Sequence, residues 1–294
     1  MTAITVRECE VEVGGHTLQV REAGDPDGKP LVYFHGTPSC RLEPAFADRP
    51  AAERGIRLVS FDRPGYGESP AVPFSLASIA RDTALVADAL GIERFATHGQ
   101  SGGGPFSLAC AAVLGDRVTR CGVTAGPAPF QEVPGLLDVL DENDRAALAL
   151  LPDEEAAARQ FAVGFDVFRQ LGRATDAAIV AGFKTMSSRR DSEILDRPEP
   201  ASALIGALRA ALVHGTSGAG WDNVAWVGPW DIDLTAIRQP VFLWYADEDT
   251  FAAPVNGEWL DEHLPTATFV LREGEGHMSV MEHASEILVT LTSE

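Results

Sequence analysis

The stretch Gly99-Gln100-Ser101-Gly102-Gly103 joins a short strand-like run, residues 94–98, to an apolar helix-like run, residues 105–112. A serine at such a junction is a candidate nucleophile. The turn that presents it is so tight that side chains beside it would meet the neighbouring strand and helix, so glycine is required before and after. Gly99, Gly102 and Gly103 meet that demand. The expected product is a hydroxyl held above the carboxyl edge of a sheet, faced by the next backbone N–H groups and a helix N-terminus. A phosphate cradle does not fit, because no Gly-Lys-Ser/Thr follows, and Gly102-Gly103-Gly104 lacks the spacing of a dinucleotide fingerprint. The five residues alone are equally compatible with a glycine-rich loop closing a strand–helix turn, so the surrounding chain has to decide.

Outward from the serine, runs apolar on both faces recur at residues 30–34, 56–61, 119–123, 241–245 and 268–271, as in strands buried within a parallel sheet. Two alternating segments, 8–13 and 17–21, flank Gly14-Gly15 and predict an N-terminal antiparallel hairpin at the edge. Helix-period segments lie at 75–90, 105–114, 255–263 and 280–291. This alternation predicts an α/β fold, a mostly parallel central sheet with helices on both faces. Residues 131–234 break the pattern with helix-like stretches at 136–151, 154–171, 176–186 and 203–213, interrupted at Pro152, Gly172 and Pro198/Pro200, and no convincing strand. We therefore expect a core in two parts, 1–130 and 235–294, with 131–234 inserted as an all-helical cap. Such a cap covers the carboxyl edge of the sheet, where open α/β folds bind ligands. No internal repeat or low-complexity tract is present.

The 294 residues are 45% apolar, enough to bury a sizeable core. They carry 43 acidic against 23 basic side chains, a formal charge of −20 without long single-sign blocks. Such a charge repels nucleic acid and anionic membrane surfaces, so neither is an expected partner; a small molecule is, and the acidity itself reads as solubility. No apolar run nears the length of a membrane span, and the N-terminus has neither a basic start nor an apolar export stretch, so a cytoplasmic location is expected. Cys9, Cys40, Cys110 and Cys121 form no Cys-x-x-Cys pair and read as reduced thiols. No metal or cofactor is expected, and Cys40 has no paired base beside it that would make it a nucleophile.

Five motifs in order resemble the α/β-hydrolase fold superfamily, from Leu31 to the last helix. They are His35-Gly36-Thr37-Pro38 after one buried strand, Asp62 through Ser69 after the next, the turn at Ser101, Ala246-Asp247-Glu248-Asp249 after a late strand, and Gly274-Glu275-Gly276-His277 after the last. The first and third resemble esterase-like members with a helical cap. The resemblance implies a triad ordered nucleophile, acid, histidine, which maps to Ser101, Asp249 and His277, with Asp247 as the alternative acid in the same loop. It also implies oxyanion donors in the backbone N–H groups of Thr37 and Gly102, since Pro38 has no N–H to offer. By the same resemblance His35 orders the loop beside the serine. His98, on the strand before the turn, reads as a packing residue, and His16, His214, His263 and His283 fall in the hairpin, the cap or helix faces. Asp62 to Ser69 reads as a strand-end turn in which Arg63 pairs with a carboxylate, and Trp221, Trp226 and Trp230 chiefly as anchors of the cap.

A serine hydroxyl becomes nucleophilic when an imidazole takes its proton, and the imidazole needs a carboxylate to hold its tautomer and balance its charge. The expected activity is therefore a serine hydrolase acting on an ester, thioester or small amide through an acyl-enzyme. Serine at the turn disfavours the aspartate-nucleophile branch of the superfamily. The same fold and triad also serve non-hydrolytic enzymes of lyase or cyclase type and small-ligand receptors. Lys184, the one lysine within 131–234, separates the first of these: a lysine reaching into the pocket would favour non-hydrolytic acid–base chemistry.

Overall fold

The computed structural model describes residues 4–293. Eight strands form one sheet: β1 (Thr5–Val13), β2 (His16–Gly24), β3 (Lys29–Phe34), β4 (Ile56–Phe61), β5 (Phe95–Gln100), β6 (Val118–Thr124), β7 (Val241–Ala246) and β8 (Ala267–Arg272). Their order across the sheet is β1-β2-β4-β3-β5-β6-β7-β8. β2 runs antiparallel to both β1 and β4, and every other pairing is parallel. The hairpin is longer than the alternation alone suggests, and its turn is made by Gly14 and Gly15 at φ +53° and +100°, values open to glycine without strain.

The central strands β3 and β5 are buried almost throughout; β3 reads accordingly as an apolar run from Leu31, whereas β5 also buries Thr97, His98 and Gln100. The helices Leu76–Ala89, Gly104–Leu114 and Val255–His263 lie between strands as the periodicity predicts, and Val280–Thr292 closes the chain. Ser75, predicted as the first residue of its helix, is the N-cap, exchanging side-chain bonds with Ser78 in a capping box.

Between β6 and β7 the described residues form helices only. Asp176–Met186 matches its prediction, but two long predicted helices are each split. Residues 136–151 resolve into a short turn, Leu136–Val139, and the helix Glu142–Leu148, because the Asp141 side chain caps Asp144 N–H and starts the helix afresh. Residues 154–171 resolve into Glu154–Gly164 and Asp166–Leu171. Pro198 and Pro200, expected as breakers, open the helix Pro198–Ala211 instead: the first turn has no intrahelical N–H bonds to lose. Two helices escaped the periodicity reading, Arg189–Leu195 and Ser217–Val227, and both reach the site below.

Candidate active site

β5 delivers the chain to Ser101, whose φ of +51° is costly for any residue with a Cβ. That strain is held by close packing on every side. A Cβ on Gly99 would drive into the carbonyl of Gly103, one on Gly103 into the carbonyl of Phe34, and one on Gly102 into the side chain of Thr37. The three glycines that the sequence marks out are therefore positions at which backbone meets backbone or the facing loop. The helix Gly104–Leu114 follows at once, with its N-terminus behind the serine.

His277 opens the short turn His277–Ser279 after β8, and Asp249 lies three residues beyond the end of β7. His277 Nδ1 donates to Asp249 Oδ2 at 2.8 Å, and Asp249 Oδ1 also accepts the N–H groups of Phe251 (2.7 Å) and Ala252 (2.9 Å). Burial pushes the Asp249 carboxyl up, but the His277 charge and these hydrogen bonds outweigh it and hold the group below its ordinary value. Burial pushes His277 down, and is in turn outweighed by the charge and hydrogen bond of Asp249, with Asp191 and Glu43 adding, so the imidazole lies above its ordinary value. Asp247, the alternative acid, points elsewhere: its Oδ1 accepts Gly274 N–H at 2.7 Å on the surface.

Thr37 and Gly102 face one another across the serine turn. His35 behaves as the resemblance implies. Its Nδ1 donates to Gly36 O (2.8 Å) and its Nε2 accepts Arg63 N–H (3.3 Å), a neutral tautomer consistent with a group that burial, then the Arg63 charge, hold well below the ordinary histidine value. His98 is packed edge-on against Tyr33 and Trp244 and pushed down to about 3 by burial. Cys40 is buried, donates to Ala207 O at 3.4 Å, and is pushed up strongly by burial, far from a reactive thiolate.

Two cavities meet at Ser101, Thr37 and Phe251. The first, with about 840 Å³ of empty space partly open to solvent, contains His277 and Glu43 within walls that include Phe46, Phe168, Phe183 and Leu204. The second, about 1230 Å³ and also partly open, contains Gly102 and Asp249 and is walled by Pro127, Phe130 and Trp226. Residues 131–234 thus contribute to both. Lys184 does not line either one; it is ion-paired to Asp196 on the surface. Trp221 is buried against Phe74, Trp226 packs in a tilted arrangement against Phe130, and Trp230 Nε1 donates to Trp226 O at 2.9 Å.

Three carboxylates that the sequence reading did not single out complete the surroundings. Glu43 is enclosed by protein but faces the first cavity, where it accepts from Tyr33 OH (2.8 Å) and Gly36 N–H (2.9 and 3.1 Å). Asp222, fully buried, is the partner of Arg63 (2.6 Å). Asp191, also fully buried, accepts the N–H groups of His277 (3.1 Å) and Met278 (2.7 Å). For Asp191 a signal existed in the sequence, since Ser188 and Asp191 have the spacing of a helix-capping box. Glu43 and Asp222 carry no local signature.

Among the described residues no group of histidine, cysteine and acidic side chains could hold a metal ion, and no helix is long and apolar enough to cross a membrane. Over 143 residues the chain is 32% identical to a 2-hydroxy-6-oxononadienedioate/2-hydroxy-6-oxononatrienedioate hydrolase from Klebsiella pneumoniae, covering 45% of this chain and 50% of that protein. Over 115 residues it is 30% identical to a proline iminopeptidase from Neisseria gonorrhoeae, covering 35% and 34%. The chain therefore matches half or less of the length of these relatives. Among solved structures, a bromoperoxidase from Bacillus anthracis superposes with a TM-score of 0.73 at 18% identity over 98% of this chain and 100% of that one. An enol-lactonase from Burkholderia xenovorans does so with a TM-score of 0.68, also at 18% identity, over 97% and 100%. These likenesses speak for the fold. The family pattern described as the alpha/beta hydrolase fold matches residues 29–284, six of the eight strands together with the motif loops, and the chain belongs to that family.

Proposed function

We propose that this protein is a serine hydrolase that cleaves an ester, thioester or small amide of a small molecule through an acyl-enzyme. The observation that carries the reading is a strained serine opening onto the same cavity as a histidine whose far nitrogen is bonded to a buried aspartate. In this mechanism Ser101 Oγ attacks the carbonyl carbon while His277 takes its proton, and Asp249 fixes the tautomer and balances the imidazolium. The N–H groups of Thr37 and Gly102 take the negative charge that develops on the carbonyl oxygen. His277 then passes its proton to the leaving group, and a water activated by the same imidazole releases the acyl group.

Residues 131–234 act as a cap whose aromatic and aliphatic side chains select an apolar substrate portion. The relatives named as hydrolase and iminopeptidase support hydrolysis over lyase chemistry. So does Lys184, since the cap's one lysine stays outside both cavities. The net charge supports a small-molecule substrate over nucleic acid or a membrane surface. The test is Ser101→Ala. Turnover of p-nitrophenyl butyrate should disappear, with an unchanged circular dichroism spectrum, and a fluorophosphonate should label the wild type at Ser101 but not the variant. Retained turnover would sink the assignment.

A further inference from the structure

Two helices of the segment 131–234 each send a fully buried aspartate out to a loop of the site. Asp222 Oδ2 accepts the Thr37 hydroxyl at 2.5 Å, and on the same oxygen Arg63 Nη2 and Tyr66 OH, both at 2.6 Å. Arg63 then extends to the carbonyls of His35 (2.7 Å) and Gly36 (3.3 Å), so the loop before Thr37 is gripped by backbone as well as by side chain. Asp191 lies flush against the histidine turn. Its two oxygens take the N–H groups of His277 and Met278, and a Cβ on Gly276 would enter its carboxylate.

Burying a carboxylate without solvent is costly unless its lone pairs are filled. Helices that merely covered the cavities could do so with aliphatic side chains. Here the lone pairs are filled in part by Thr37, proposed above as an oxyanion donor, and in part by His277, the residue that would take the serine proton. Neither aspartate lines either cavity, so neither is placed to touch substrate.

We propose that Asp191 and Asp222 are positioning residues, Asp191 holding the turn that carries His277 and Asp222 holding Thr37 as an oxyanion donor. The helical segment is then a fixed part of the machinery rather than a lid that lifts, because lifting it as a body would break both grips. Substrate enters through the solvent-open parts of the two cavities. This rests on the serine-hydrolase reading above.

Thr37→Val tests the Asp222 grip, since valine keeps the shape and the backbone N–H, and Asp222 keeps Arg63 and Tyr66. The expected result is a fall of about 10- to 100-fold in kcat for p-nitrophenyl butyrate and in the rate at which a fluorophosphonate modifies Ser101. KM should move less than about 3-fold, and Thr37→Ser should restore kcat to within about 3-fold of the wild type. A Thr37→Val rate within about 3-fold of the wild type, or a deficit that Thr37→Ser does not repair, overturns this half.

Asp191→Asn tests the other. The charges facing His277 are those of Asp249, Asp191 and Glu43, so losing one of them should move the acid limb of kcat/KM, and of the Ser101 modification rate, to lower pH. A purely structural loss would lower the rate and leave the limb in place, and an unmoved limb overturns the assignment of Asp191. If Ser101→Ala retains turnover, the hydrolase reading itself falls; if that variant is inactive while Thr37→Val and Asp191→Asn behave as wild type, only the positioning proposal does.

Discussion

At the scale of single residues, the proposed mechanism makes the pair His277–Asp249 set the pH response. His277 must be neutral to accept the serine proton, and Asp249 holds its imidazole above the ordinary value. The acid limb of kcat/KM is therefore expected to have its midpoint above about 6.5, the ordinary histidine value. A pH–rate profile with its midpoint at or below that value would contradict the pairing. For stability the signs are opposite for the two partners. The raised His277 contributes stability in full below the unfolded histidine value and loses it as pH rises through its folded value; the lowered Asp249 loses its contribution as pH falls through its own. Asp249→Asn should lower kcat by about 10³- to 10⁴-fold by releasing the tautomer, while Asp247→Asn, whose side chain accepts the Gly274 N–H on the surface, should stay within about 3-fold of the wild type. Both carboxylates sit in one loop and both suit the motif. Sequence could rank them; only the bond to Nδ1 distinguishes them.

At the scale of elements, the strand–turn–helix around Ser101 and the helices of the insertion obey different constraints. Gly99 faces the Gly103 carbonyl, and backbone cannot rotate away, so Gly99→Ala should cost at least about 2–3 kcal/mol and slow the fluorophosphonate reaction. Gly206 lies within the helix Pro198–Ala211 with open space where a Cβ would go. Gly206→Ala should therefore stabilise by about 0.5–1 kcal/mol, read from the midpoint of urea unfolding. The sheet was legible in the sequence because most of its buried parallel strands write largely apolar runs; the strand Ile56–Phe61 and the helix Val255–His263 match their predicted bounds. The insertion was less so. Its helices are short and end at side-chain caps, and a cap such as Asp141 breaks a helix without breaking the hydrophobic period.

At the scale of the whole molecule, the Arg63–Asp222 pair, with neither side chain exposed, ties the insertion to the core. Asp222→Ala would strand a buried guanidinium and should cost about 3–5 kcal/mol. The double variant Arg63→Met/Asp222→Leu removes both charges and should recover most of that stability by urea unfolding, yet remain slow toward esters, because the loop that carries Thr37 has lost its grips. The sequence by itself determined the fold class, the serine turn and the chain order of the proposed nucleophile, acid and histidine, since each is written in a few consecutive residues whose backbone and size limits are local. It also indicated that Arg63 would meet a carboxylate. Tertiary structure alone decided which one, together with which of Asp249 and Asp247 bonds His277 and the reach of Asp191 to the histidine turn. Asp222 is 159 positions from Arg63, and Asp191 is 86 from His277. A buried aspartate is identified by the donors that surround it, and those donors come together only when the sheet and the inserted helices pack.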